Sequence, residues 1–195
     1  MRMPLPLLLL TLAACTTQPA TGPVSTTQAL TPVEHLVRAS MALRGMRPSL
    51  DDLNAVQADA TKLPGIIDGY LNSDAFGDTM RDLHNEALLV RTDTVIFPSG
   101  FPAVGALKGY DLQRINVAIQ EEPLKLIEQV VMEDRPYSEI VTADFAMADG
   151  IVADVWGMQH SSSMDAWEKT QWPDTMPRAG VLSSPAFFNR HATTI

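Results

Sequence analysis

Prolines punctuate this chain, and from residue 31 onward many of them fall where a helix begins. Proline has no amide hydrogen to donate and a φ locked near about −65°, so a helix interior rejects it and a first turn accepts it. Thr31-Pro32-Val33-Glu34 is a capping box with proline at the first helical position. Val33, Leu36, Val37 and Met41 follow at helical spacing, and Gly45 ends the run. Pro48 precedes Ser49, an N-cap with Asp52 three residues on, which predicts a second helix ending near Asp59. Pro64 to Leu71 reads as a third, weakened by Gly65 and Gly69.

The cleanest amphipathic pattern is Phe76, Met80, Leu83, Ala87 and Val90, which predicts a helix over 74–91. Residues 92–109, TDTVIFPSGFPAVGALKG, forbid a long helix and leave room for one short strand at Val95-Ile96-Phe97. From Asp111, Leu112, Ile115 and Ile119 share a face. Pro123 is read as opening a new helix with Leu124, Ile127, Val130 and Val131 inward. Pro136 opens a short one through Val141. Asp144 is read as the cap of the next, with Phe145, Ala148, Val152 and Val155 in line and Gly157 as its stop. Residues 158–179 are polar and irregular, and Ser184-Pro185 starts a last helix. No alternating pattern is long enough to suggest a sheet. The predicted class is all-α: an irregular multi-helix bundle with one Pro/Gly-rich excursion and one long polar loop, in a single domain over 31–195.

The first thirty residues read differently. Met1 to Cys15, MRMPLPLLLLTLAAC, has a positive start at Arg2, a short apolar run centred on Leu7 to Leu12, and small residues before Cys15. That is the pattern of a secretory signal over residues 1–14. Its apolar run is shorter than the roughly 20 residues a spanning helix needs. Leu12-Ala13-Ala14-Cys15 resembles the lipobox of bacterial lipoproteins, in which the thiol takes a diacylglycerol and the signal is cut just before it. Cys15 is the single cysteine, so an intrachain disulfide and a cysteine-cluster metal site are both excluded. Acyl chains hold by about 0.8 kcal/mol per buried CH2, which predicts attachment to a membrane through the N-terminal lipid. Thr16, where an aspartate favours retention in the inner membrane of enteric bacteria, resembles outer-membrane sorting. Residues 16–30, TTQPATGPVSTTQAL, carry no charge and read, with lipidated Cys15, as a flexible tether.

Beyond the tether the chain holds 23 acidic against 13 basic residues, since only Arg2 lies before it. That formal balance of −10 repels phosphate backbones and argues against nucleic acid as a partner. Familiar catalytic patterns fail in turn. Gly100 and Gly105 with Lys108 lack the spacing and hydroxyl of a phosphate loop. His160-Ser161-Ser162-Ser163-Met164-Asp165 has the letters of a hydrolytic triad, but consecutive loop residues do not converge as a triad must, and the reading is a solvated loop. His84 and Glu86 point to different helix faces. Asp144, Asp149 and Asp154 are each rotated by about 140° from the next on a helix, so Asp149 is read as solvated. Met41 and Met80 are assigned to core packing, as is Trp156, while Trp156, Trp167 and Trp172 together flank the polar loop where they could floor a sugar site.

Several stretches together carry a resemblance: RASMALRGMRPSLDDLNAVQAD with IIDGYLNSDAFGDTMRDLHNEALL, then EEPLKLIEQVVMEDRPYSEIVTADFAMAD, then RAGVLSSPAFFNRH. In this order they resemble exported proteins of planctomycete and myxobacterial type that accompany or contain c-type cytochrome modules. The matching positions are Gly45, Pro48 and Ser49; Leu71, Ser73, Phe76 and Gly77; Glu121 to Leu124; Asp134, Arg135, Glu139 and Asp144; and Arg178, Gly180, Leu182 and Ser183. Phe145 stands where that family has tyrosine, and Asp149 where it has asparagine. The family continues past the last segment into a part bearing Cys-x-x-Cys-His, which is absent here. The resemblance implies no catalytic residue and no metal ligand in this chain, no cofactor of its own, and a c-type haem on a missing segment or on a haem protein partner.

The expectation is a lipid-anchored, exported helical lipoprotein at the outer membrane, a scaffold or binding module of a cytochrome-associated system without catalysis of its own. The alternatives are an enzyme acting on extracellular polysaccharide between the 92–109 and 158–179 loops, and a truncated product. The ending AGVLSSPAFFNRHATTI predicts Phe187 and Phe188 poorly covered or tucked onto the helical body.

Overall fold

The computed structural model describes residues 29–92 and 104–191. The signal peptide, Cys15, most of the tether, the Val95-Ile96-Phe97 segment and the last four residues lie outside the described residues. Within them the chain is mostly helical, with a small antiparallel sheet that corrects the all-α expectation. The helices are α1 (Pro32–Arg44), α2 (Leu50–Ala58), α3 (Leu63–Leu71), α4 (Asp74–Leu88), α5 (Leu112–Met132), α6 (Glu139–Thr142), α7 (Gly150–Trp156) and α8 (Pro185–Arg190). The strands are β1 (Ala146–Ala148) and β2 (Glu168–Thr170). No described helix is long and apolar enough to cross a membrane.

The predicted starts of α1 and α2 are present atom for atom. The Thr31 hydroxyl accepts from the Glu34 amide at 3.2 Å, and the Glu34 carboxylate accepts from the Thr31 amide at 2.8 Å. Ser49 accepts from the Asp52 amide at 3.1 Å. Gly45 closes α1 at φ 65°, in the left-handed region where a Cβ is penalised. Leu36, Val56 and Tyr70 form the core of this first subassembly. The Arg44 guanidinium lies 3.5 Å over the Tyr70 ring, whose hydroxyl donates to Asp52 at 2.8 Å. Burial and that carboxylate push the Tyr70 phenol up to about 12. Met41 is exposed, a correction to its placement in the core.

The centre of the fold is α5. It runs unbroken through Pro123, which was expected to begin a separate helix. Proline there forfeits one backbone hydrogen bond, at about 3 kcal/mol. The gain is burial on both sides of it: Ile115 and Ile119 before, Leu124, Leu126, Ile127 and Val130 after, are essentially inaccessible. Each such side chain contributes about 1.5–3 kcal/mol, so continuity of one central helix outweighs the lost bond.

The segment after α6 also departs from expectation. Asp144 is exposed and caps nothing; residues 146–148 are extended, and Asp149 caps α7 by accepting from the Val152 amide at 2.8 Å. Asp149 is buried, not solvated, and burial pushes its carboxyl up despite that hydrogen bond. β1 pairs with β2 with Ala146 opposite Thr170, Met147 opposite Lys169 and Ala148 opposite Glu168. The strand's period of two divides its side chains between two cores. Ala146 and Ala148 join the cluster of Ile115, Ile119, Leu124, Ile151 and Trp172, while Phe145 and Met147 join Leu126, Ile127, Val130, Ile140 and Val181. The 158–179 stretch therefore contributes a strand and a buried tryptophan, and is more than a loop.

At the other end of that segment Gly180 adopts φ 54° and donates its amide to the Ala143 carbonyl at 3.0 Å. It lies flat against the backbone of α6. Phe187 is half-buried, with its ring 4.7 Å from that of His191, and Phe188 is 56% exposed.

Candidate functional site

The predicted apolar face of α4 is buried only in part: Phe76 and Met80 are half-buried and Val90, just past the helix, is buried. Leu83 and Ala87 are exposed, and the packed face takes in Gly77, Arg81, His84 and Leu88 as well. Gly77 lets α4 approach α5 closely, since a Cβ there would sit 2.8 Å from Glu128 Oε1. Over that close approach the two helices are joined by charge. Arg81 Nη1 lies 2.9 Å from Glu121 and its Nε 2.9 Å from Glu128, with Asp78 on its remaining nitrogen. Lys125 completes the group at 2.7 Å from Glu128. Arg91, just past α4, holds both oxygens of Glu121 and also reaches Asp82. Burial works against the Arg81 charge, but Glu128, Asp78 and Glu121 more than offset it and raise its pKa. Glu121 does the same for Arg91.

The turn from α4 to Arg91 is unusual. Leu89 caps the helix at φ 53°, a left-handed conformation that a leucine adopts at some cost. The turn buries Val90 completely and leaves Leu89 at the surface. The Asn85 side chain fixes it by accepting from the Arg91 amide at 2.8 Å. Thr92 and Gln120 then exchange backbone-to-side-chain hydrogen bonds, 2.8 Å for Gln120 Nε2 to the Thr92 carbonyl.

This turn, the flank of α5 and the end of α8 enclose an open cavity of about 540 Å3. Leu89 and Val117 give it apolar walls; Arg91, Thr92, Gln113, Gln120, Glu121 and Arg190 give it polar ones. Arg91 is committed to Glu121 and Asp82, whereas Arg190 makes no ion pair among the described residues. The cavity thus offers one guanidinium, amide side chains and a small apolar wall, a surface suited to holding an acidic or amphipathic group. Among the described residues no three metal-ligating side chains converge.

The positions singled out by resemblance fall into separate groups. Glu121 and Gly77 meet at the α4–α5 seam. Arg135 pairs with Glu133 and Glu139 and lies 5.2 Å over the Phe145 ring, and the Asp134 turn before it has φ 50°. Gly180 packs on the same short helix as Glu139. Asp144 is exposed beside them, Arg178 pairs with Asp174 at the surface, and Gly45 with Pro48 forms the distant α1–α2 turn. These are fold positions, spread over three corners, and do not converge on one chemistry.

The triad letters do not meet either. His160 Nε2 donates to the Ala166 carbonyl at 3.0 Å, Ser161 and Ser162 bond Glu168, and Asp165 pairs with Arg114. Trp172 is 2% exposed and belongs to the core, while Trp156 and Trp167 are half-buried against it. Sequence reasoning missed Arg81, Arg91 and Arg190, and named Glu122 without foreseeing its burial. The signal for the first two was present: arginines and acids recur on α4 and α5 at positions a strictly apolar reading passes over. The chain matches no family model, no curated protein and no solved structure.

Proposed function

We propose that this chain is an exported lipoprotein, anchored at the outer membrane by acyl chains on Cys15, whose helical body is a binding or scaffold module without catalysis of its own. Its partner in this reading is a haem-bearing protein of a cytochrome-associated surface system. The observation that carries the anchor is MRMPLPLLLLTLAAC, with its one cysteine placed where lipid attachment needs it. The uncharged tether after it gives the body reach from the membrane. The partner rests on the ordered stretches from Gly45 to Ser183, and the cavity at Arg190 supplies a docking point for an acidic side chain or propionate-like group.

Crosslinking the lipidated protein in its native membrane and recovering it tests the partner. The expected result is a co-purifying band that stains for haem and weakens severalfold in Arg190→Glu. Repeated recovery without a haem-staining band contradicts the cytochrome association, and an undiminished band in Arg190→Glu removes the cavity from it.

A further inference from the structure

The middle of α5 contains a carboxyl where none is expected. Glu122 is 1% exposed, and neither of its oxygens has a hydrogen-bond partner. The residue after it is Pro123, which leaves the Ile119 carbonyl one turn back without its usual amide donor. Helical side chains lean toward the preceding turn, so Glu122 and the carbonyl that lacks a donor belong to the same stretch of α5. Opposite it stands Ser184, the first residue of the α8 turn, whose own hydroxyl is buried and unpartnered. Ser184 approaches the carboxyl without closing a well-formed bond.

No charge partners an ionised Glu122: on α5 itself, Lys125 is held by Glu128. On α4, Arg81 faces Glu121 and Glu128, and His84 bonds the Met80 carbonyl and Tyr137. On α6, Glu139 is held by Arg135. On α7, Asp149 caps its own helix and Asp154 is exposed. On α8, Arg190 is at the far end lining the cavity, and His191 beyond it donates to the Leu88 carbonyl at 2.8 Å. β1 and the turn Gly180–Ser183 carry no titratable side chain. Burial alone therefore sets the preference, and it pushes the Glu122 carboxyl up to about 8, with Ser184 offsetting only a part.

We propose that Glu122 and Ser184 form a proton-sensitive latch: the neutral carboxyl lets the segment Gly180–Arg190 close on α5, and its ionisation releases that segment while the rest of the fold persists. The segment is short and packs chiefly on α5 and α6. It is a single short turn and a six-residue helix, seated by Val181, Ser183 and Ala186. Lifting the segment wets Glu122, and because Arg190 ends α8 it also removes one wall of the cavity.

The sign follows from linkage. The closed state holds a proton that the open state gives up at an ordinary carboxylate pKa near 4.5, so closure is tightest below that value. It weakens as pH rises and levels off above about 8. Hydrogen exchange of the full chain, expressed as protection factors so that intrinsic exchange divides out, tests this between pH 5.5 and 8.5. Protection of peptides over 180–190 is expected to fall about tenfold per pH unit up to about 8, while peptides over 146–156 hold. Glu122→Gln, which keeps the neutral shape, is expected to abolish the fall; His191 remains in that variant and serves as the internal control. Flat protection in the wild-type chain overturns the latch. So does an equal fall in Glu122→Gln, or a parallel loss over 146–156, which would mean global rather than local opening. Should the glutamine variant fail to fold, Glu122→Met is read in its place against the same criteria.

Discussion

Gly180→Ala is expected to be the most damaging single change in the body of this protein. An added Cβ at Gly180 would sit 2.0 Å from the Ile140 carbonyl oxygen and 2.6 Å from its carbon. Both are backbone atoms of α6, so no side chain can swing aside. The residue also has φ 54°, which penalises any L side chain independently of space. Relief requires the Gly180 amide to leave the Ala143 carbonyl and α6 to separate from the turn that covers it. Val181 and Ile140 then lose their packing in the cluster they share with Phe145 and Val130. With the segment over 180–190 closed, a strained φ together with overpacking against backbone costs about 3–5 kcal/mol, a large part of a domain's stability. Urea denaturation followed by circular dichroism checks it; a change in stability below about 1 kcal/mol would mean that the turn does not lie against α6 as described.

The second large effect is expected from Glu121→Ala. One carboxylate serves Arg81 and both contacting nitrogens of Arg91, and it is 17% exposed. Removing it leaves two guanidinium groups side by side, Arg81 with Asp78 and Glu128 and Arg91 with Asp82 alone. Such a half-buried pair is screened less than a surface bridge but more than a core one, so the cost falls between them, at about 2–3 kcal/mol. The pairing predicts non-additivity. In the background of Arg81→Met the same Glu121→Ala change should cost at least about 1 kcal/mol less, because one of the orphaned charges is already gone. Equal costs in the two backgrounds would show that Glu121 acts through packing and not through Arg81.

How much of this was legible in the sequence differs by element. The starts of α1 and α2 were readable to the residue, because a capping box and a serine cap are local devices whose partners lie three residues away. Pro123 misled for the opposite reason. Its local cost is real, but the burial that overrides it comes from helices and a strand distant in sequence. The short strand at 146–148 had a readable sign: large Phe145 and Met147 alternate with small Ala146 and Ala148, and each pair serves a different core. Asp144 took the role of cap in that reading because the helix was started one turn too early; Asp149 was the right residue type in the right relation to Val152. The seam between α4 and α5 was hidden because its buried face is charged, and hydrophobic periodicity does not register arginines that find their acids only on another helix. The cavity at Arg190 was beyond reach, since three segments far apart in the chain build it.

The positions singled out in the sequence gain a physical meaning from this fold. Gly45, Gly77 and Gly180 are backbone requirements, and Glu121 and Arg135 are charge anchors between elements. They explain why such a sequence keeps its shape; the proposed action rests on the tether before it.

Mass spectrometry of the mature N-terminus, from protein purified out of its own membrane, tests that tether most directly. The account predicts a chain beginning at Cys15, carrying the mass of a diacylglyceryl thioether, and lost from the membrane fraction in Cys15→Ser. A mature chain with an unmodified Cys15, or a Cys15→Ser protein that stays with the membrane, would contradict it.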